Sequence, residues 1–276
     1  MLNKENNIIK RIIISLLSVY ILSACQNPII NTNSDNNVEN LSTQYSDGQV
    51  SEKTAADVNA QLGAGYINNG RYDRALVKLQ KALKQNPNHA LAHNYLGVLY
   101  SRLERPEGAE IQFKQSVRLA PNDSTALNNY AIFLCEQKQF SQAKQIFNKV
   151  VNNPLYIKRA EAYQNAAWCA LENNKINRSE QLYRKALKLS PSSSNSLFGL
   201  AKINYKKSSY KYAWKYFQRY DKLAIPNADA LWLGINILYK LYASNDNLLS
   251  SYKLQLKSKY PDSNEAKWLY QGRQEY

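Results

Sequence analysis

The fold is decided by Leu62–Pro87, LGAGYINNGRYDRALVKLQKALKQNP, which returns 34 residues later as Leu96–Pro121, LGVLYSRLERPEGAEIQFKQSVRLAP. The two copies share a leucine-glycine pair at the start, a central alanine and a closing proline. The pattern recurs with looser matches in three further copies, and a degenerate sixth copy closes at Tyr260-Pro261. A fixed period of this length is typical of a repeat protein, in which each unit buries its apolar face against its neighbours.

The period and the order of residues resemble the tetratricopeptide repeat (TPR), a helix-turn-helix unit. One position of each unit needs a small side chain so that two helices can approach closely, and it is occupied by Gly63, Gly97, Ala131, Ala167 and Ala201. The approximate bounds of the units are 56–89, 90–123, 124–157, 160–193, 194–227 and 228–262. Lys158 and Arg159 form an insertion after the third unit. We therefore predict an all-α fold, a right-handed superhelical solenoid of about six repeats within residues 55–276, rather than a generic helical bundle.

The first residues predict export. Within residues 1–24, a basic start precedes the apolar run Ile12–Leu22, which is too short to span a bilayer and has the length of a signal-peptide core. The run ends in Leu22-Ser-Ala-Cys25, which resembles a bacterial lipobox, so we predict that Cys25 becomes the lipidated first residue of the mature protein. An ordinary signal peptide with a coincidental cysteine is the alternative. Residues 25–54 are rich in Asn, Ser and Asp and predict a flexible polar tether.

The residue after the cysteine carries sorting information. Gln26 stands where an aspartate is the usual inner-membrane retention signal in lipoproteins of Gram-negative bacteria. The absence of aspartate resembles an outer-membrane address. We therefore expect a protein anchored at the periplasmic face of the outer membrane, with covalent lipid on Cys25 and no cofactor.

The charge of the chain is strongly positive, with a formal net charge of +15. Basic residues are concentrated in the fifth unit, partly at helical spacing: Lys202, Lys206, Lys211, Lys215 and Arg219. They predict a basic surface, which would be a solvated helix face, a site for an acidic partner or a contact with lipid headgroups. Nucleic acid is not expected as a partner of an exported lipoprotein.

The cysteines and histidines bear on redox and metal chemistry. Cys135 and Cys169 fall on adjacent first helices near the same height, so a disulfide is conceivable if their Cα atoms lie within about 7 Å. Two buried free thiols are the alternative. His89 and His93 have no carboxylate or cysteine at ligand spacing, so no metal site is predicted. No Gly-rich phosphate loop or Gly-x-Ser-x-Gly motif is present, and we predict neither enzymatic activity nor a small-molecule substrate.

The positions that face the concave side of such an array give a candidate protein-binding groove. These positions include Asn94, Val98, Asn128, Ile132, Trp168 and Phe198. Asparagine amides can hold the backbone of a bound segment while apolar neighbours take its side chains. In the competing interpretation, Trp168 and Phe198 pack between helices instead.

The combination of a lipobox, a polar tether and six repeats resembles the PilF/PilW lipoproteins of type IV pilus biogenesis. The C-terminal part adds specificity, because it resembles the sixth repeat of that family in Leu231–Ile237 (LWLGINI), Ser251–Lys257 (SYKLQLK) and Tyr260–Ser263 (YPDS). The resemblance implies a pilotin, which binds the secretin subunit of the pilus, carries it to the outer membrane and promotes its multimerisation. The alternatives are a TPR lipoprotein scaffold for outer-membrane protein assembly or peptidoglycan machinery, and a regulator of a cell-wall enzyme.

Overall fold

The computed structural model describes residues 48–242, 247–273 and 276, with side chains from residue 55 onward. The chain divides into two units, Met1–Ser51 and Glu52–Tyr276, and the described part of the first unit is a short stretch of helix. The predicted signal peptide, Cys25 and the tether up to residue 47 lie outside the described residues. Among the helices that are described, none has the length and apolar character needed to cross a membrane.

The described residues form thirteen helices and no strand. The helices are α1 Gly48–Asn68, α2 Tyr72–Gln85, α3 Ala90–Arg102, α4 Pro106–Leu119, α5 Ser124–Glu136, α6 Phe140–Val151, α7 Arg159–Glu172, α8 Ile176–Leu189, α9 Ser194–Lys206, α10 Tyr210–Asp221, α11 Ala228–Tyr242, α12 Asn247–Lys259 and α13 Asn264–Tyr270.

Helices α1 to α12 form six consecutive helix pairs, each of which is one repeat. The first helices of successive repeats contact one another, α3 with α5, α5 with α7, α7 with α9 and α9 with α11, so they line one common face. The prediction of an all-α TPR solenoid is confirmed. Helix α1 begins at Gly48, seven residues before the predicted boundary of the repeat array at residue 55.

The turn inside each repeat has the same backbone conformation in all five regular repeats. One residue has a left-handed φ between 54° and 68°, at Gly70, Glu104, Lys138, Asn174 and Ser208. The next backbone N–H then reaches back to a carbonyl near the end of the first helix, as in the 2.8 Å bond from Arg71 N to Tyr66 O. This geometry ends a helix and satisfies carbonyls that would otherwise lack a partner. It sets the angle at which the second helix returns.

The small residues predicted at the helix crossings are required by close packing. A Cβ atom at Gly97 on α3 would lie 2.9 Å from the ring of Phe113 on α4. A Cβ atom at Gly63 on α1 would lie 2.6 Å from Leu79 on α2. The second helix therefore packs directly against the backbone of the first.

Helix α13 follows the sixth repeat and was not foreseen as a separate element. Its N-terminus is capped by Ser263, whose hydroxyl accepts a hydrogen bond of 3.1 Å from the backbone N–H of Ala266. Trp268 packs on Trp232 of α11, with ring centroids 6.0 Å apart. The last repeat thus has a covering helix on the side where a seventh repeat would otherwise stack.

Candidate partner-binding groove

The groove follows the face that the first helices share, and its first part lies between α3 and α5. Val98 and Ile132, both half-buried, line a shallow pocket of about 100 Å³. At its edge the Ser101 hydroxyl donates a hydrogen bond of 3.0 Å to the exposed carboxylate of Glu136. This part of the groove is apolar at its centre and polar at its rim.

The asparagines predicted to face a partner are used inside the protein instead. The side chain of Asn94 is fully buried, accepts a hydrogen bond of 2.8 Å from Asn129 and donates one of 3.5 Å to the carbonyl of Ala126. Asn94 therefore cannot hold a bound segment, and its assignment to the groove surface is wrong. A buried amide needs partners, and the next repeat supplies them.

Asn128 takes part in the same arrangement one repeat later. It is 7% exposed, and its Oδ1 accepts a hydrogen bond of 3.3 Å from Asn165 on α7. The two bonds form an amide ladder that links α3 to α5 and α5 to α7 beneath the groove. The sequence held a signal for this ladder, because each of the two asparagines has an asparagine partner about one repeat later. Asn129 is the partner of Asn94, and Asn165 is the partner of Asn128.

The larger part of the groove lies between α7 and α9. Trp168 and Phe198, both half-buried, line a pocket of about 280 Å³ together with Gln164, Asn195 and Lys202. Tyr183 forms part of its floor, and burial raises the pKa of this tyrosine, with a further contribution from Glu172. A Cβ atom at Gly199 would overlap the ring of Tyr183, so only glycine allows the ring to reach the pocket.

The C-terminal end of the groove is closed by contacts around Lys202. Its ammonium lies 3.3 Å from the carboxylate of Asp229 and is stacked between the rings of Phe198 and Tyr276, at 5.4 and 5.2 Å. The Tyr276 hydroxyl donates a hydrogen bond of 2.6 Å to Asp229. Burial, reinforced by Asp229, raises the pKa of Tyr276, so this hydroxyl stays protonated and remains a donor. Asp229 and Tyr276 were not predicted as site residues.

The five residues predicted as one basic surface are divided by the structure. Lys202 lies in the groove, where it is paired as described. Lys211, Lys215 and Arg219 follow one another at intervals of four on α10 and are exposed, and Lys206 is exposed at the end of α9. Arg219 donates a hydrogen bond of 3.0 Å to the carbonyl of Pro191. The exposed stripe on α10 therefore lies on the second helix of its repeat, and the prediction of a single surface that includes Lys202 is wrong.

The two cysteines of the repeat array are joined. A disulfide links Cys135 on α5 to Cys169 on α7, with Cα atoms 5.7 Å apart. Both residues are buried. The bridge ties the first helices of the third and fourth repeats, which carry Ile132 and Trp168 of the groove.

The histidines have structural partners. His89 caps α3 by accepting a hydrogen bond of 3.1 Å from the N–H of Ala92, and its Nε2 lies 2.7 Å from Asp57. His93 lies 2.6 Å from the side-chain oxygen of Gln112. Within the described ranges, no group of three or more His, Cys, Asp or Glu side chains is arranged to hold a metal ion.

Comparison with known proteins identifies the repeats and the family. Models of the tetratricopeptide repeat match residues 61–124, 113–145 and 160–193. The type IV pilus assembly protein PilF of Pseudomonas aeruginosa is 32% identical over 211 residues, which cover 76% of this chain and 83% of that protein. The chain belongs to the PilF/PilW family of type IV pilus biogenesis proteins.

Solved structures agree with this assignment. A structure of Pseudomonas aeruginosa PilF superposes with a TM-score of 0.72 at 29% identity, over 81% of this chain and 100% of that one. The crystal structure of PilW, a type IV pilus biogenesis factor, gives a TM-score of 0.71 at 24% identity, over 78% of this chain and 98% of that one, and shows the shared fold. The family resemblance predicted from the sequence is confirmed.

Proposed function

We propose that the protein is a pilotin of type IV pilus biogenesis, which binds the secretin subunit through the groove between α3 and α9. The observation that carries the proposal is the pocket between α7 and α9, because a half-buried indole, a phenyl ring, three amide side chains and a cation converge there in about 280 Å³. Membership in the PilF/PilW family directs the choice of partner.

The chemistry of this pocket fits an extended or helical peptide segment. Trp168 and Phe198 offer apolar surface for one or two side chains of the partner, and Gln164 and Asn195 offer amides for its backbone. Buried aromatic residues at the centre of an interface commonly contribute most of its binding energy. Trp168 is therefore the proposed anchor, while Val98 and Ile132 extend the apolar surface toward the N-terminal repeats.

The proposed anchor to the outer membrane is lipid on Cys25. Two or three acyl chains suffice for stable attachment, since each buried CH₂ contributes roughly 0.8 kcal/mol. In this proposal the lipid sets the destination of the complex and the groove selects the cargo. The protein acts by binding, without a catalytic step.

Binding of the secretin is tested with the full chain in non-ionic detergent and the periplasmic part of the secretin from the same bacterium. Trp168→Ala should weaken binding at least tenfold, because loss of a central tryptophan removes about 2 kcal/mol or more. Tyr212→Ala is the matched control, since this exposed aromatic lies on α10 outside the groove. If wild type and Trp168→Ala bind the secretin with equal affinity, Trp168 and the groove around it are not the binding site.

A further inference from the structure

A second pocket lies on the other side of α7 from the groove. It is bounded by α6 and α8, has a volume of about 330 Å³ and is floored by Phe147, Ala166 and Ala170. Ala166 is two residues from Trp168, which places the two side chains about 200° apart around the helix. The pocket therefore opens on a different face from the proposed secretin groove, and an inference about it goes beyond that function.

The pocket exists because two aromatic rings are missing at the junction of repeats 3 and 4. One repeat earlier, Phe113 of α4 packs on Tyr130 and Phe133 of α5, with ring centroids 5.9 and 5.2 Å apart. The residues at the same places one repeat later are Phe147, Ala166 and Cys169. Alanine and cysteine are smaller than the two rings, and the pocket lies at this place, lined by Phe147, Ala166 and Cys169, which are 2%, 7% and 5% exposed.

The rim of the pocket is cationic. Lys144, Lys175 and Arg178 lie around the opening, and no carboxylate is among the residues that line it. The Arg178 guanidinium is held there by a hydrogen bond of 3.0 Å to the Asn148 side chain. Neither Lys144 nor Lys175 makes an ion pair within the described part of the chain.

The charge at this rim is reversed relative to the preceding repeat. The place of Lys144 is occupied in α4 by Glu110, which forms an ion pair of 2.8 Å with Lys114. The junction of repeats 2 and 3, called the filled junction below, thus has an acidic residue, Glu110, on the same helix as its aromatic ring, Phe113. The junction of repeats 3 and 4, called the open junction below, has neither the acidic residue nor the rings of Tyr130 and Phe133, and cations line its pocket instead.

We propose that this pocket binds an acidic peptide segment of a protein partner through one aromatic side chain. The ring would enter beside Phe147 and restore the aromatic packing that Tyr130 and Phe133 provide one repeat earlier. Carboxylates next to the ring would meet Lys144, Lys175 and Arg178. The volume is sufficient for this, since a cavity of about 150 Å³ can hold a benzene ring.

The test uses the full chain in non-ionic detergent and two acetylated pentapeptides, Glu-Asp-Phe-Asp-Glu and Glu-Asp-Ala-Asp-Glu. Isothermal titration should show that the phenylalanine peptide binds at least tenfold more tightly than the alanine peptide. Ala166→Tyr fills the pocket and Lys144→Glu reverses its charge, and each should weaken binding at least tenfold. Both variants introduce the residue that this chain itself has one repeat earlier, so folding should be retained, which circular dichroism checks.

Lys81→Glu is the matched control, because it makes the same change of charge at an exposed position of α2. It should leave peptide binding unchanged. The proposal is overturned if the phenylalanine peptide binds no more tightly than about 1 mM, or if Ala166→Tyr binds it as well as wild type does. Binding to phosphatidylglycerol vesicles that Lys144→Glu abolishes, without peptide binding, would assign the pocket to lipid and also overturn it. None of these outcomes depends on whether the secretin binds to the groove.

Discussion

The junction between repeats 2 and 3 and the junction between repeats 3 and 4 use the same positions for different purposes. At the first, Phe113, Tyr130 and Phe133 form a continuous aromatic cluster. At the second, Phe147 faces Ala166 and Cys169, and a pocket remains. The second junction has less aromatic packing than the first, but it has a covalent link from Cys169 to Cys135.

The repeats of one solenoid are therefore joined in different ways. Burial of an aromatic side chain is worth roughly 1.5–3 kcal/mol, and a disulfide that closes a loop of this length is worth a similar amount. The second junction can therefore keep open volume for a ligand while the two repeats stay in register. Trp168 of the groove lies on α7 beside that linked cysteine, so the bridge also positions the groove.

The largest expected effect is the loss of an aromatic ring at the filled junction. Phe113→Ala should lower the free energy of unfolding by about 3–5 kcal/mol, because it leaves a cavity between three helices. Phe147→Ala should cost distinctly less, since its ring already borders an open pocket. Urea unfolding followed by far-UV circular dichroism measures both. Equal losses would show that the two junctions are packed alike.

Removal of the disulfide should have the next largest effect. Cys135 and Cys169 are separated by 34 residues, so the bridge should contribute about 2–4 kcal/mol by restricting the unfolded chain. The double variant Cys135→Ala/Cys169→Ala should unfold at lower urea concentration than wild type. Reductant should destabilise wild type to a similar extent and leave the double variant unaffected. A wild-type protein that is insensitive to reductant would contradict the covalent link.

A methyl group added behind Phe113 tests how tightly the filled junction is packed. Gly97→Ala should cost about 1–3 kcal/mol, because the new Cβ would lie 2.9 Å from a ring that Tyr130 and Phe133 hold from the other side. Gly65→Ala is the control, since a Cβ at Gly65 has no neighbour within 4 Å. It should stabilise α1 by up to about 1 kcal/mol. Thermal unfolding of the pair gives the comparison, and a neutral Gly97→Ala would mean that Phe113 is free to move.

The smallest effect concerns the turns of the two repeats on either side of the open junction. Lys138 and Asn174 both have a left-handed φ, of 59° and 54°. Lys138→Gly should raise the free energy of unfolding by about 0.5–1 kcal/mol, because glycine relieves the crowding of Cβ there. Asn174→Gly should gain less, since asparagine tolerates this conformation. Unfolding in urea ranks the two, and a larger gain at Asn174 would contradict this explanation.

Much of the fold could be predicted from the sequence because the same pattern of apolar, small and turn residues occurs in each repeat. The period located the helix pairs, and the small residues at positions such as Gly97 located their crossings. The start of α1 could not be located, since the polar residues before 55 carry no apolar periodicity. Helix α13 was missed because it is short and has no counterpart in the other repeats.

The site was less predictable, because the position of a polar side chain on a helix does not show whether it is exposed or hydrogen-bonded to a neighbouring repeat. Asn94 was assigned to the groove from its repeat position, but the partner that buries it, Asn129, lies one repeat away. Lys202 was grouped with exposed lysines, although Asp229 and Tyr276 enclose it. The pocket beside Phe147 becomes visible in the sequence only when Ala166 and Cys169 are aligned with Tyr130 and Phe133.

We propose that a lipid-anchored groove delivers the secretin to the outer membrane, and the substitution Cys25→Ala in the native host is the first experiment to make. Membranes are fractionated, and heat-resistant secretin multimers are followed by denaturing gel. We predict that the variant leaves the outer membrane and that the multimers vanish or move to the inner membrane. Trp168→Ala should stay in the outer membrane and still lose the multimers. Normal secretin multimers in the outer membrane of the Cys25→Ala strain would show that lipid on Cys25 does not deliver the secretin.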